Sequence, residues 1–332
     1  MTLAEVVGHE RQKAVLRGGI ERDAVGNAYL FSGPPGVGKG AAAVQFGRAL
    51  LCLKEEGDAC GECESCRCTT AGHPDFHVFA PEKGKKVLKI DQVRDMQHLL
   101  ALSPSLGRRK VAVIDPAEAV NISSANILLK MLEEPPEGTV FLLVASNQGA
   151  LPATVLSRCR KVSFGQLDEG EVREVLLRQG WDEAEAAAAA GLSEGSPGLA
   201  MSVESDAWKK ALTVLDAMLG AGSTGAVLEQ VEKRVQDRTE AEFVTRILLS
   251  RARREMRRRL GLGGADGEHT GLEQMGEGEL LRLSADLVKT SRLLESNVNV
   301  KLALGSLFSA WAGSFARESR EGVPGKGKTK RR

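Results

Sequence analysis

Two rhythms of hydrophobic and polar positions follow one another along the chain, and the change between them divides it. In the first half, short apolar runs stand between stretches of helical spacing. Ala28 to Phe31, His73 to Phe79, Lys110 to Asp115, Val140 to Ala145 and Lys161 to Phe164 read as strands. Runs that are apolar at every position suit strands covered on both faces. Their alternation with helices predicts an α/β domain built on a mostly parallel sheet. Helices are expected before Ala28, after the turn that follows Phe31, over 92–102 behind an Asp91 cap, and from a Ser123 or Ser124 cap to Glu134. Pro135 and Pro136 end the last of these. Residues 87–90 read as a short extended piece, and Lys83 to Lys86 as a solvated basic loop.

Past Phe164 the strand rhythm stops. Helical spacing over 168–192 and from Leu199 onward, broken at Gly195-Ser196-Pro197-Gly198, predicts a small helical unit over 166–205. A longer helical segment, 206–316, follows, with helices over 206–219, 224–236, 240–260 and 278–315 and a glycine-rich connection from Gly261 to Gly278. The basic tail 317–332 has the composition of a disordered segment. The organisation read from the pattern is therefore 1–165, 166–205, 206–316 and the tail, with an insertion at 52–68.

Composition narrows the class. A hydrophobic fraction of 42% in 332 residues suits a soluble protein of two or three domains, and aromatics at 4% argue against base-stacking platforms. The net charge of +1 selects no partner by itself. No run of apolar residues is long enough to span a bilayer and no leader pattern opens the chain, so a cytoplasmic protein is expected.

The first candidate chemistry lies at Gly33-Pro34-Pro35-Gly36-Val37-Gly38-Lys39-Gly40, between the first strand and a helix. Strand, glycine-rich turn and helix start form the setting of a phosphate-binding loop. Gly33, Gly36 and Gly38 let backbone N–H groups face an anion, and Lys39 would meet the terminal phosphates. Where such loops carry Ser or Thr to hold Mg²⁺, this chain has Gly40. Asp115, at the end of the third strand, is the expected metal-side acid, but Pro116 follows it and cannot act as a base. Glu118 has no evident route to the attacking water. Two defects predict no competent hydrolytic site, while the surviving Lys39 leaves nucleotide binding open.

Five of six cysteines fall between Cys52 and Cys68. Cys60, Cys63 and Cys66 form consecutive Cys-x2-Cys steps, and Cys52 supplies a fourth thiol at loop distance, with Cys68 as an alternative. In a reducing compartment this spacing predicts a structural Cys₄ zinc site. Zinc would contribute roughly 10–16 kcal/mol of apparent binding free energy, against about 2–4 kcal/mol for a disulfide. Arg158, between the last two strands, reads either as a surface charge or as a residue offered to a neighbour's nucleotide. The helix carrying Arg246, Arg251, Arg253, Arg254, Arg257, Arg258 and Arg259 reads as a solvated face, partly paired with the acids nearby, rather than a DNA contact.

The segments 27–33, the Cys52/Cys60/Cys63/Cys66 insertion, Gly72-His73-Pro74-Asp75, 124–136 and 151–159 stand in one order, with weaker motifs at 195–198 and 297–304. In these the chain resembles the bacterial DNA polymerase III clamp-loader subunits of the AAA+ class, on the delta-prime side of that family. The resemblance implies a RecA-like sheet domain, a small helical lid and an all-α collar that holds a five-subunit ring. It implies zinc on the cysteines and Arg158 as an arginine finger given to an adjacent motor subunit. It also implies that Gly198 stands where the motor subunits carry a nucleotide-contacting Arg, and that the degenerate nucleotide loop (Gly33, Gly36, Gly38, Lys39, Gly40, Asp115) hydrolyses nothing itself. The partners implied are gamma/tau and delta subunits, the sliding clamp and, through the complex, primed DNA. The alternative is an active gamma/tau-type ATPase.

Overall fold

The computed structural model describes residues 2–54, 57–68, 72–82, 85, 87–202, 213–220, 223–235, 238–261, 272–296 and 298–315. The expected basic loop is described only at Lys85. Most of the glycine-rich connection, residues 206–212 of one expected helix, and the basic tail lie outside the described residues.

Among the described residues, β1 (Ala28–Ser32), β2 (Phe76–Phe79), β3 (Lys110–Ile114), β4 (Thr139–Ala145) and β5 (Arg160–Ser163) form one sheet in the order β2-β3-β4-β1-β5. Every pairing is parallel. The side-chain period of two sorts each central strand between two cores. Tyr29, Phe31, Val111, Val113, Val140, Leu142 and Val144 face the helices Glu10–Glu21 and Lys39–Leu50, meeting Leu16, Ile20 and Phe46 there. Ala28, Leu30, Ala112, Ile114, Phe141, Leu143 and Ala145 face the helices Ile90–Ala101 and Ile122–Glu133, with Met96, Leu100 and Leu128. Continuous apolar strands are thus explained by burial on both sides.

The helix boundaries depart from the sequence reading where side-chain chemistry decides them. The helix Ile90–Ala101 begins one residue before Asp91. Lys89 is its N-cap, and the Lys89 N–H donates to Gln92 Oε1 at 3.0 Å. Asp91 lies in the first turn, where its charge suits the helix dipole. Asn121, not Ser123 or Ser124, caps the next helix, because its Oδ1 accepts the Ser124 N–H at 2.8 Å. Leu88 forms one isolated bridge to Val120 rather than a strand.

The chain divides into two compact units, Met1–Asp182 with Gly195–Leu199, and Glu183–Glu194 with Ala200–Arg332. The stretch 168–192 holds two helices, Glu169–Arg178 in the first unit and Glu183–Leu192 in the second. Asp168 caps the former through Glu171 N at 2.7 Å. In the second unit, helices Thr224–Arg234, Arg238–Arg259, Glu277–Glu295 and Val300–Phe315 surround Leu215, Met218, Val231, Ile247, Leu248, Leu283 and Phe308. The long helix expected over 278–315 is two helices. Arg238 Nη1 binds the Leu294 and Ser296 carbonyls at 2.6 and 2.5 Å, supplying cationic partners where the first one ends.

The arginine-rich helix Arg238–Arg259 directs most of its guanidinium groups into its own unit. Arg251 pairs with Asp216, Arg253 with Glu194, and Arg258 and Arg259 with the buried Glu255. Arg254 donates to the Gly191 carbonyl, which also accepts Ser250 Oγ at 3.2 Å. The pairing with acids expected in part from the sequence is present, and Arg253 and Arg258 remain exposed.

Candidate functional site

Three groups of residues emerge in the first unit. The first is the glycine turn after β1. Gly36 (φ 74°) and Gly38 (φ 95°) adopt left-handed backbone conformations that a side chain would strain, and Lys39 opens the helix behind them. The buried Lys39 ammonium donates to the Pro34 carbonyl at 2.6 Å and to Ser146 Oγ at 3.2 Å. Burial lowers its pKa, with Asp115 and Glu118 opposing that shift, and burial raises the Asp115 pKa.

Asp115 is turned toward Gly40. A Cβ on residue 40 would lie 2.8 Å from Asp115 Oδ2, so the carboxylate occupies space that a longer side chain would need. Glu118 accepts the Ser146 and Asn147 N–H groups at 2.5 and 2.6 Å, which ties it to the end of β4. The segment Gly195–Leu199 covers the turn from above. Gly198 N donates to the Gly36 carbonyl at 2.8 Å, and Ser196 Oγ donates to the Pro35 carbonyl at 2.9 Å. The approach is so close that a Cβ on Gly198 would stand 2.7 Å from Gly36 Cα. The sequence reading brought Gly33, Gly36, Gly38, Lys39, Gly40 and Asp115 to one place, and they meet there. It missed Ser146, Asn147 and Ser196. Ser146-Asn147 directly after an apolar strand is a detectable signal, whereas the backbone bond from Gly198 has none.

The second group is the cysteine insertion. The thiols of Cys52, Cys60, Cys63 and Cys66 all lie within 4.8 Å of one another, a set that could hold a metal ion. Tetrahedral coordination with Zn–S bonds of about 2.3 Å places sulfurs about 3.8 Å apart, and Cys60 and Cys66 stand at 3.9 Å. The Cys63 and Cys66 N–H groups point at the Cys60 and Cys63 sulfurs, each at 3.4 Å, the polarity a thiolate pair favours. Backbone N–H groups of Glu62 and Cys63 lower the Cys60 thiol to about 6, while burial pushes Cys66 up to about 12. Cys68 turns away to the Glu64 carbonyl at 3.4 Å and is outside the cluster. Of the two thiols that spacing offered, Cys52 lies in the cluster and Cys68 does not.

His73 docks this insertion. Its Nδ1 accepts the Asp75 N–H at 3.0 Å, so the proton sits on Nε2 and is donated to Ser65 Oγ at 2.8 Å. Ser65 in turn donates to the Leu51 carbonyl at 2.6 Å. Asp75 holds the Ser105 and Leu106 N–H groups at 2.7 and 2.8 Å. Asp58, inside the insertion, accepts from Leu3 and Ala4 at 2.9 and 2.8 Å.

The third group surrounds Arg158, two residues before β5. Its Nη1 donates to the Thr154 carbonyl at 2.8 Å, and its Nη2 is paired with Glu133. It lines an open cleft with Val25, Asn27, Leu132 and Arg160. All five strands are parallel, so the glycine turn lies at their C-terminal edge and Arg158 at their N-terminal edge. The strand between spans about 17 Å.

Residues 8–168 match the family model described as DNA polymerase III, delta subunit. The chain is similar to the DNA polymerase III subunit delta' of Pseudomonas aeruginosa, 45% identical over 40% of this chain and 41% of that one. It is 37% identical to the Escherichia coli subunit delta' over 58% of this chain and 59% of that one. The Haemophilus influenzae subunit tau/gamma is 36% identical over 53% of this chain and 25% of that one. The chain thus spans less than two thirds of the length of each of these relatives. A crystal structure of a DNA polymerase III gamma subunit-related protein from Thermotoga maritima superposes with a TM-score of 0.51 at 20% identity, covering 92% of this chain and 100% of that one. The likeness is one of fold: a parallel-sheet α/β domain followed by helices. No helix among the described residues is long and apolar enough to cross a membrane. Over residues 8–168 the chain is similar to clamp-loader subunits of the delta-prime type, the family its motifs resemble.

Proposed function

We propose that this chain is a non-hydrolysing ring subunit of a bacterial DNA polymerase III clamp loader, working in the cytoplasm beside gamma/tau- and delta-type subunits. Its task is to help open the sliding clamp and set it on primed DNA, and its contribution to ATP hydrolysis is made in trans through Arg158. DNA polymerisation belongs to the complex. The observation that carries the reading is polarity. Arg158 stands at the sheet edge opposite its own glycine turn, too far to reach a phosphate bound there, and opens onto a cleft at the surface. A guanidinium so placed cannot serve its own glycine turn, which suits one offered to a neighbour.

The glycine turn supports the same reading. Gly40 offers no hydroxyl for Mg²⁺, Pro116 no base, and Glu118 is held by two backbone N–H groups. The four clustered thiols we assign to structural zinc, since four protein ligands leave no open coordination position. In this reading the 166–205 segment acts as the lid and 206–316 as the collar of the ring.

The test is the loader assembled with ATPase-competent neighbours and either the wild-type chain or Arg158→Ala. Arginine fingers are worth about 10³–10⁵ in rate, so the site facing Arg158 should fall about 10³-fold. Clamp- and DNA-stimulated turnover of the whole loader should drop by that site's share, with assembly intact. Unchanged stimulated turnover rejects the role. A second reading, an autonomous gamma/tau-type ATPase, is favoured by one observation: Lys39 is present and lies beside Asp115 and Glu118. ATP turnover by the purified chain, lost on Lys39→Ala, would support it.

A further inference from the structure

Arg158 is not free in its cleft. It follows the short helix Ala153–Leu156, and Glu133 is the last residue of the helix Ile122–Glu133. Both terminal nitrogens of the guanidinium are engaged within the chain. Nη1 serves the Thr154 carbonyl at 2.8 Å and Ser157 Oγ at 3.4 Å, and Nη2 serves the Glu133 carboxylate. The two charged side chains remain 33% and 48% exposed, at the mouth of the cleft rather than inside the core. The adjacent Arg160 is turned to the Ala24 carbonyl at 2.8 Å.

We propose that Glu133 is a restraint on Arg158, holding the guanidinium on its own subunit until a phosphate of the neighbour's nucleotide takes the carboxylate's place. The inference rests on the reading of Arg158 as a trans finger and adds what governs its release. Carboxylate and phosphate are both anions that seek the same N–H groups. An arriving phosphate therefore meets like charge from Glu133 as well as attraction from Arg158, and the two anions compete. The Thr154 carbonyl is a neutral backbone partner that no side-chain substitution removes, so the charge-dependent part of the restraint is Glu133 alone. A half-exposed ion pair is weak enough to exchange, yet strong enough to bias availability up to about fivefold.

The experiment uses the assembled loader. Glu133→Gln keeps the shape and removes the charge. It should raise ATP turnover measured without clamp or DNA about two- to fivefold while leaving the stimulated rate near wild type, so that the stimulation ratio falls. Glu133→Asp, which retains the carboxylate, should behave as wild type. In the Arg158→Ala background, Glu133→Gln should have no further effect, because the residues act as one unit. Lowered or unchanged basal turnover in Glu133→Gln overturns the restraint, as does an increase that persists in the Arg158→Ala background. If Arg158→Ala itself leaves stimulated turnover at the wild-type level, the finger reading fails and the restraint falls with it, which tells the two failures apart.

Discussion

At the scale of single residues, the histidine of the Gly-His-Pro-Asp segment shows how one protonation state can hold a substructure. His73 accepts at Nδ1 and donates at Nε2, an arrangement only the neutral ring can make. Burial lowers its pKa, opposed by Asp75 and helped by His77. A lowered folded value means that the unfolded state binds the extra proton first. The stability His73 confers is complete above an unfolded pKa of about 6.5, and it declines as pH falls through that value toward the folded one. His73→Gln should cost about 1–3 kcal/mol at pH 7.5 through a lost acceptor and a stranded Asp75 N–H. The stability difference between wild type and variant should shrink by pH 5.5, since protonated wild type loses the same acceptor. Denaturant unfolding of both chains across that range measures it. A constant difference would show that His73 acts through volume alone.

At the scale of elements, the cysteine insertion and its docking contacts form a separable piece. Residues 57–68 contain one short helix, Glu64–Arg67, and their apolar packing is largely cysteine against Cys52, Ala59 and Cys66. Such a piece lacks a core of its own, and under the zinc proposal a metal would supply its order. One zinc per chain is expected by native mass spectrometry. Cys60→Ser should abolish it, and Cys68→Ser should leave it bound, because Cys68 faces the Glu64 carbonyl. Retention in the first variant or loss in the second would contradict the Cys52/Cys60/Cys63/Cys66 assignment. This element also shows what the sequence discloses. The Cys-x2-Cys steps, the apolar strands and the glycine turn are legible because spacing fixes each of them locally. The cap at Asn121 rather than at a serine was not, since Asn121, Ser123 and Ser124 are all residue types that cap and only the backbone path selects one. The choice between Cys52 and Cys68 was equally hidden, as both lie at loop distance and side-chain direction decides. Glu133 lies in one of the segments that carry the resemblance, but its pairing with Arg158, 25 positions away, is made by the fold and had no local signal.

At the scale of the whole molecule, the two ends of one parallel sheet have been given different fates. The C-terminal edge keeps the form of a nucleotide site but fills it from within. Lys39 bonds to Pro34 and Ser146, Asp115 Oδ2 crowds position 40, and Gly198 lies on Gly36. The N-terminal edge carries an arginine in an open cleft. These features fit the proposal that turnover happens elsewhere. The purified chain, incubated with ATP and Mg²⁺, should therefore show no hydrolysis that depends on Lys39, and Lys39→Ala should leave the residual rate unchanged. Restoring one missing group should not rescue it. Gly40→Ser would return a hydroxyl but would push against the Asp115 carboxylate, and Pro116 and Gly198 would still supply neither a base nor a cation. A Lys39-dependent rate in the purified wild-type chain would reverse the assignment, making the glycine turn the working site and the interior bonds of Lys39 a resting state that ATP displaces. Because both edges belong to one rigidly paired sheet, the same preparation can be assayed in the loader with Arg158→Ala. Silence alone combined with loss in the complex is the pattern that a subunit acting only on its neighbour must produce.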